Sequence, residues 1–540
     1  MKNQTSLFFL FLLIFYGTLV QAQEIPLPEH PRPDFERPQW QNLNGAWAFI
    51  FDKNDEGVKE NWQAGGKDFG RQITVPFSWG APLSGVEDEA DIGWYQRSIQ
   101  IDPSWQGKRI FLIIGASDWE TTAWLDGQLL GSHRGGYIPF SFELTELAKP
   151  GARQSLTIRV DDVRRDFTLY GKQGYGNARG LWQTVYLEAR GQTHLDALHL
   201  APDIDKQQVQ VTAYLPEPAA EDSVLNIQIE GDRQTYKQTA VFPAGKTRVT
   251  FNIPISGPHL WSLDDPFLYK VKAVIGDDEV HTYFGMRKIS VANLPGTDHP
   301  YIAINNEPVY LQLALDQSYH PGGYYTFPSD DFMKAEIERS KKIGLNGIRT
   351  HIKIDIPRKL YWADKLGLLV MADLPNSWGE PDAAMQAESE YTLRQMIKRD
   401  FNHPAIFSWV LFNETWGLHT QREVDGKNVA EYLPATQYWV ASMYYLAKSL
   451  DETRLVEDNS ICCGRGHTET DINSWHVYLP GWQWEDYLKE LTENTFEGSA
   501  HHFEEGFRQG RQPNINSECG NVWGYEGSTG DVDWSWDYHR

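Results

Sequence analysis

At ~150 residues per domain, a chain of 540 residues has room for roughly three or four domains, which excludes a small disulfide-stapled scaffold. Apolar residues at 41% and charged residues at 23% are ordinary globular values, so wholesale disorder and a multi-span membrane protein are excluded too. A net charge of −24 has the wrong sign for neutralising phosphates, so nucleic acid is not an expected partner, whereas 21 Trp, 25 Tyr and 25 Phe predict aromatic-lined sites for flat apolar ligand faces.

The N-terminus carries Lys2, then a nearly continuous apolar run over residues 7–20, then Val20-Gln21-Ala22 as a small-residue cleavage site. That pattern predicts a signal peptide over residues 1–22 and export to the periplasm or beyond. The run is shorter than the ~20 residues that span a bilayer, so no membrane span is expected. Residues 23–192 show short alternating runs such as Ala46-Trp47-Ala48-Phe49, broken by turn residues, with Asp126-Gly127 as a two-residue hairpin signal. A β-sandwich follows, and the same texture over residues 193–292 predicts a second one.

After Leu294-Pro295-Gly296 the pattern changes to strands alternating with helices, as around a parallel sheet, so residues 293–540 read as a (β/α)8 barrel. Strand candidates begin at Val309, Gly347, Leu368, Ile406, Arg454, Asn473 and Asn514. Ser329-Asp330-Asp331 marks a helix start and Gly344 its stop. An eighth strand is not evident, and residues 534–540 read as a helix still under way, so the barrel is expected to be truncated before its last strand. Cys462, Cys463 and Cys519 supply no disulfide framework, and because a bridge between adjacent cysteines would be strained, all three are expected as buried small apolar groups.

Barrel enzymes place their working residues where strands end. The strand from Ile406 delivers Asn413-Glu414-Thr415-Trp416, and a later one delivers Ser517-Glu518-Cys519. Two carboxylates from different barrel strands suit glycosidic bond cleavage, one protonating the leaving oxygen while the other attacks the anomeric carbon or activates water. Asp316, Gln317, Tyr319 and His320 after the first strand, Trp378 after the third, and His476, Tyr478 and Trp482 after the sixth are further pocket candidates, since aromatic faces stack on sugars while His and Asp grip hydroxyls. His501-His502 with Glu504-Glu505 matches no zinc spacing and reads as a solvated loop; no metal or other cofactor is expected.

Asn402-His403-Pro404-Ala405-Ile406 leading to Trp409 and Asn413-Glu414, with Ser517-Glu518 downstream, resembles glycoside hydrolase family 2. Leu43-Asn44-Gly45 and Gly180-Leu181-Trp182 are similar to that family's jelly-roll sugar-binding domain, and Leu260-Trp261-Ser262 with Phe284-Gly285-Met286 to its immunoglobulin-like domain. The resemblance implies a retaining exo-β-glycosidase acting on oligosaccharides or glycans, β-galactosidase-like or β-glucuronidase-like, with Glu518 as nucleophile and Glu414 as general acid/base. It also implies that Asn413 binds the sugar 2-hydroxyl, that Arg349 holds the nucleophile ionised and that His351 binds a hydroxyl. A raised pKa is expected for Glu414. The rival reading is a non-catalytic carbohydrate-binding protein with a degenerate barrel. The sugar, the linkage and the oligomeric state are not legible in the chain.

Overall fold

A computed structural model describes residues 25–520 except Cys463. The expected signal peptide and the helical pattern at residues 534–540 lie outside the described residues.

The first unit is a sandwich of two antiparallel sheets. One runs Trp40–Asn42, Val185–Arg190, Arg109–Ile114, Phe140–Glu143; the other runs Arg71–Val75, Gly45–Phe51, Ile92–Gln100, Arg153–Asp161, Glu120–Leu125, Gln128–Arg134. Period-two alternation turns Trp47 and Phe49 inward, where they pack with Trp79, Tyr95, Leu112 and Ile158. Asp126-Gly127 makes the predicted turn, with positive φ at both residues (50° and 77°), the geometry that matches strand twist in a two-residue hairpin.

The second unit packs the sheet Ala197–Asp203, Gln208–Tyr214, Arg248–Pro254 against the sheet Thr235–Phe242, Ser223–Glu230, Tyr269–Ile275, Asp278–Phe284. A small antiparallel sheet of Ile289–Asn293, Pro300–Ile304 and Glu307–Pro308 then leads into the barrel.

The barrel strands are β1 (Leu313–Asp316), β2 (Gly347–Thr350), β3 (Leu369–Asp373), β4 (Ile406–Val410), β5 (Leu455–Glu457), β6 (Asn473–His476) and β7 (Asn514–Glu518). All pair in parallel: β1 to β5 form one sheet in chain order, and β6 pairs with β7. Bridges from Asn413 to Ser460 and from Cys462 to His476 continue the ladder across the gap. The helices are α1 (Asp330–Lys342), α2 (Pro357–Leu366), α3 (Ala383–Asp400), α4 (Pro434–Leu450) and α5 (Trp484–Asn494). α1 starts where predicted, with the Ser329 side chain accepting from Phe332 N. The first strand begins at Leu313 rather than Val309, because Val309 N is spent on Ile302 O of the preceding small sheet.

Buried polar side chains lock the three units together. Arg37 bridges Glu188 of the first sandwich (2.9 Å) and Asp278 of the second (2.8 Å). Arg287 of the second sandwich donates to the barrel carbonyls of Pro404 and Ile406. Asn402 donates to Leu198 O and accepts from Leu200 N, so the Asn402-His403-Pro404 motif buttresses a domain junction.

Two expectations fail. Cys462 is disulfide-bonded and Cys519 is free and exposed, since it lies just past the end of β7 and outside the packed interior. His502 is buried rather than solvated, its Nδ1 donating to Asn473 Oδ1 (2.9 Å) and its ring stacking on Trp475. Among the described residues no helix is long and apolar enough to cross a membrane.

Candidate active site

The C-terminal ends of β2, β4, β6 and β7 converge on two carboxylates. Beyond β4 the chain leaves the sheet through Glu414 and Thr415, both in the left-handed region (φ 52° and 57°), a conformation non-glycine residues adopt only when their surroundings enforce it. The enforcing contacts are Glu414 N to Ser460 O (2.7 Å), Thr415 N to Asn459 Oδ1 (3.1 Å) and Trp416 N to Asn413 O (3.0 Å). This turn aims the Glu414 side chain into the mouth of the barrel.

Between Trp475 and His476 the register of β6 on β7 slips by one residue, so His476 lies across from Glu518. His476 joins the two carboxylates: one oxygen of Glu414, one of Glu518 and a ring nitrogen of His476 all lie within 4.8 Å of one another. Arg349 Nη1 sits 3.3 Å from His476 Nε2. Because guanidinium only donates, Nε2 accepts and the ring proton resides on Nδ1, which donates to Glu414 Oε1 (2.7 Å).

Glu518 Oε1 accepts from the Tyr478 hydroxyl. Its other oxygen, Oε2, is ringed by His476 Nδ1 (3.5 Å), His351 Nε2 (3.7 Å) and Arg349 Nη1 (3.9 Å) but makes no hydrogen bond. His351 Nε2 is likewise buried without a partner, while its Nδ1 meets Gln317 Oε1 (3.1 Å). Burial first, and the charges of Arg349 and Lys172 next, push His351 well below the ordinary histidine range, so it is neutral.

Arg349 organises the floor. It is 1% exposed, grips Asp373 at the end of β3 through Nε and Nη2 (3.1 and 2.9 Å), and donates from Nη2 to Asn413 Oδ1 (2.8 Å). Burial pushes Asp373 up to about 6 even against this partner. For Glu414, burial also pushes upward, but the hydrogen bonds from His476 and Trp416 and the charge of Lys172 outweigh it and hold the carboxyl below its usual value. That is opposite to the raised value expected, because the sequence does not reveal these two donors.

Of the predicted residues, Glu414, Glu518, Asn413, Arg349, His351, His476 and Tyr478 meet in this one network. Trp416 and Trp378 form the rim, half exposed, with rings 5.0 Å apart. Trp416 Nε1 donates to Glu414 Oε2 (2.9 Å) and Trp378 Nε1 to Gly171 O (2.7 Å). The carboxylate of Asp316 is engaged elsewhere, by the buried Lys359 (2.6 Å) and by Ser318 N (2.7 Å), while its carbonyl accepts from His351 N.

Sequence reasoning missed Asp373, Ser460, Asn376 and the loop around Lys172. Asp373 had a signal, a carboxylate closing an apolar strand. Ser460, whose Oγ meets His476 Nε2 (2.9 Å) and Ser517 Oγ (2.8 Å), had none. The loop belongs to the first sandwich and reaches the barrel through Gly171 N to Asn376 O (2.9 Å) and Ser377 Oγ to Asp166 O (2.9 Å). Asn376 in turn donates to the carbonyls of Asn413 and Trp416.

Three family models match in succession: the sugar binding domain of glycosyl hydrolases family 2 over residues 40–188, the glycosyl hydrolases family 2 model over 193–287 and that family's TIM barrel domain over 300–531. A β-glucuronidase of Bacteroides fragilis is 25% identical over 514 residues, covering 88% of this chain and 66% of its own length. A β-galactosidase of Thermoanaerobacter pseudethanolicus is 25% identical over 402 residues, covering 70% and 51%. This chain spans about half the length of the curated relatives it matches, from 37% to 67%. Among solved structures, β-glucuronidase from Ruminococcus gnavus in complex with D-glucaro 1,5-lactone superposes with a TM-score of 0.73 at 17% identity, covering 95% of this chain and 88% of that one. A β-galacturonidase from Eisenbergiella tayi gives 0.72 at 19% identity, covering 92% and 84%. With the two sandwiches and the barrel each matched in order, the chain belongs to glycoside hydrolase family 2.

Proposed function

We propose that this chain is a retaining exo-β-glycosidase that hydrolyses O-glycosidic bonds by double displacement, with a β-glucuronide or β-galactoside as substrate. The observation that carries the reading is the spacing of Glu414 and Glu518, a carboxylate oxygen of one lying within 4.8 Å of a carboxylate oxygen of the other. Carboxyl groups ~5 Å apart leave no room for a water between the second carboxylate and the anomeric carbon, as an inverting enzyme at ~6.5–9.5 Å requires. Glu518 Oε2, free of hydrogen bonds, attacks the anomeric carbon while Oε1 is held by Tyr478. Glu414 delivers a proton to the leaving oxygen, then removes one from the water that cleaves the glycosyl ester. His351 Nε2 and Glu518 Oε2, two buried acceptors 3.7 Å apart, suit a sugar hydroxyl as donor. Arg349 acts on the sugar through Asn413.

The sandwich loop against Asn376 and Trp378 walls one side of the mouth, which favours action at chain ends. The same reading takes the first sandwich as a jelly roll and the barrel as eight-stranded: β1 pairs only with β2 and β7 only with β6 among the described strands, so one strand fits between them. It takes residues 1–22 as an export signal, which cell fractionation tests directly.

The deciding experiment is hydrolysis of a panel of nitrophenyl β-glycosides by this chain, by a version extended beyond residue 540 and by Glu518→Gln. Turnover of one sugar, with retained anomeric configuration and loss in Glu518→Gln, is expected. A folded extended chain that hydrolyses none of the panel would instead support the carbohydrate-binding reading.

A further inference from the structure

Glu414 faces opposite demands in the double displacement proposed above. In the first step it needs a proton on the oxygen that meets the leaving group, and in the second it needs a lone pair on that same oxygen. The geometry identifies the oxygen. Oε1 is committed to His476 Nδ1 (2.7 Å), whose proton is held in place by Arg349 on the far side of the ring. Oε2 is the oxygen toward the mouth, and it accepts from Trp416 Nε1 (2.9 Å). A carboxyl protonated at Oε2 would offer the indole N–H a poorer acceptor than the carboxylate does, so the arrangement described here favours Glu414 as the carboxylate.

We propose that Trp416 is a positioning residue for the acid/base: its indole N–H caps Oε2 of Glu414, and the leaving group displaces that cap, so that Oε2 takes up a proton from solvent before Glu414 delivers it. Trp416 is built to move. It is 45% exposed, it follows two residues in left-handed backbone, and its ring leans on Trp378, itself pinned to Gly171 O. The indole can therefore swing without disturbing the buried floor of Arg349, Asp373 and Asn413. Delivery of the proton to the leaving oxygen leaves Glu414 as the carboxylate that the second step needs as a base, and the cap returns to Oε2 once water has cleaved the glycosyl ester. A leaving group seated against Glu414 also meets the faces of Trp416 and Trp378, which makes flat apolar aglycone surfaces the preferred ones.

The groups that face Glu414 are His476 and Trp416 by hydrogen bond, Lys172 of the sandwich loop by charge, and Glu518 across His476, itself held by Tyr478 and flanked by Arg349 and His351. Trp416→Phe removes the indole N–H while keeping an aromatic face at the rim, and it leaves all the other groups in place, so it tests the cap. The leaving-group step rests on the glycosidase reading, but the cap itself does not, and two measurements keep them apart.

Infrared difference titration, wild type minus Glu414→Gln, reads the ionisation of Glu414 without turnover; Trp416→Phe is expected to raise its midpoint by about 1 unit. In turnover, the basic limb of kcat/KM on a substrate with a poor leaving group is expected to move upward with it, while KM changes little because an aromatic face is retained. A raised midpoint, in a protein whose folded extended version hydrolyses no glycoside, would support the cap and sink the glycosidase reading. An unchanged midpoint and pH profile in an active enzyme would overturn the cap and leave the glycosidase reading standing.

Discussion

Substituting Arg349 tests whether one guanidinium organises the pocket floor. Its fork makes two contacts to Asp373 from Nε (3.1 Å each) and one from Nη2 (2.9 Å), a further Nη2 bond to Asn413 (2.8 Å), and a longer Nη1 contact to His476 (3.3 Å). Arg349→Lys keeps the charge, so Asp373 retains a counter-ion, but a point ammonium cannot serve Asp373 and Asn413 together. Losing one or two charge-assisted bonds at ~1.5–3 kcal/mol each predicts destabilisation of about 2–3 kcal/mol. Arg349→Met strands a buried carboxylate as well, the case that costs ~3–5 kcal/mol. Asn413, released from Oδ1, also loses its fixed aim at the sugar, so kcat/KM of Arg349→Lys is expected to fall about 100-fold. Denaturant unfolding supplies the first numbers, and steady-state kinetics on the best glycoside of the panel supplies the last. Unfolding of Arg349→Met no earlier than that of Arg349→Lys, or a kcat/KM for Arg349→Lys within about threefold of wild type, would refute the claim that the fork holds the site together.

Two further outcomes follow from neighbouring residues. Lys353, fully buried against Tyr325 and donating to Ser318 O (2.6 Å), is pushed by burial from 10.5 down to about 8 despite Asp355. Between those values the unfolded chain binds more protons than the folded one, so stability should rise with pH across that window, by about 3 kcal/mol in all. Lys353→Met should flatten that rise in urea unfolding measured from pH 7.5 to 10.5, and parallel curves for the two proteins would contradict the assignment. Tyr478→Phe removes the hydrogen bond to Glu518 Oε1 while keeping the ring. A fall in kcat of roughly 10–100-fold with KM little changed is expected, and an unchanged kcat would show that Tyr478 does not position the nucleophile.

Much of the site was legible in the chain because barrels concentrate chemistry at strand ends. Glu414, Asn413 and Trp416 directly follow the apolar run of β4, and Glu518 ends β7, so alternation and composition mark them without any coordinates. His476 and Tyr478 flank the end of β6 in the same way. Asp316 carries an identical signal, yet its carboxylate serves Lys359, because the strand-end rule places a residue at the mouth without saying which way its side chain turns. Ser460 and Lys172 carry no local signal at all. Each acts through a neighbour that is distant in sequence, Ser460 on His476 and Lys172 on Glu414 and His351.

By itself the sequence determined the element types, the order of two sandwiches and a barrel, and the pair of carboxylates, since these rest on local periodicity, turn chemistry and strand-end position. Only the tertiary structure decided the spacing of the carboxylates, the tautomer of His476 and the ionisation of Glu414. Those depend on the bulge between Trp475 and His476, on Arg349 arriving from β2, and on an indole donor brought round by left-handed backbone at Glu414 and Thr415. Distances of a few ångströms between segments far apart in the chain set hydrogen-bond and charge energies, and no local pattern encodes them.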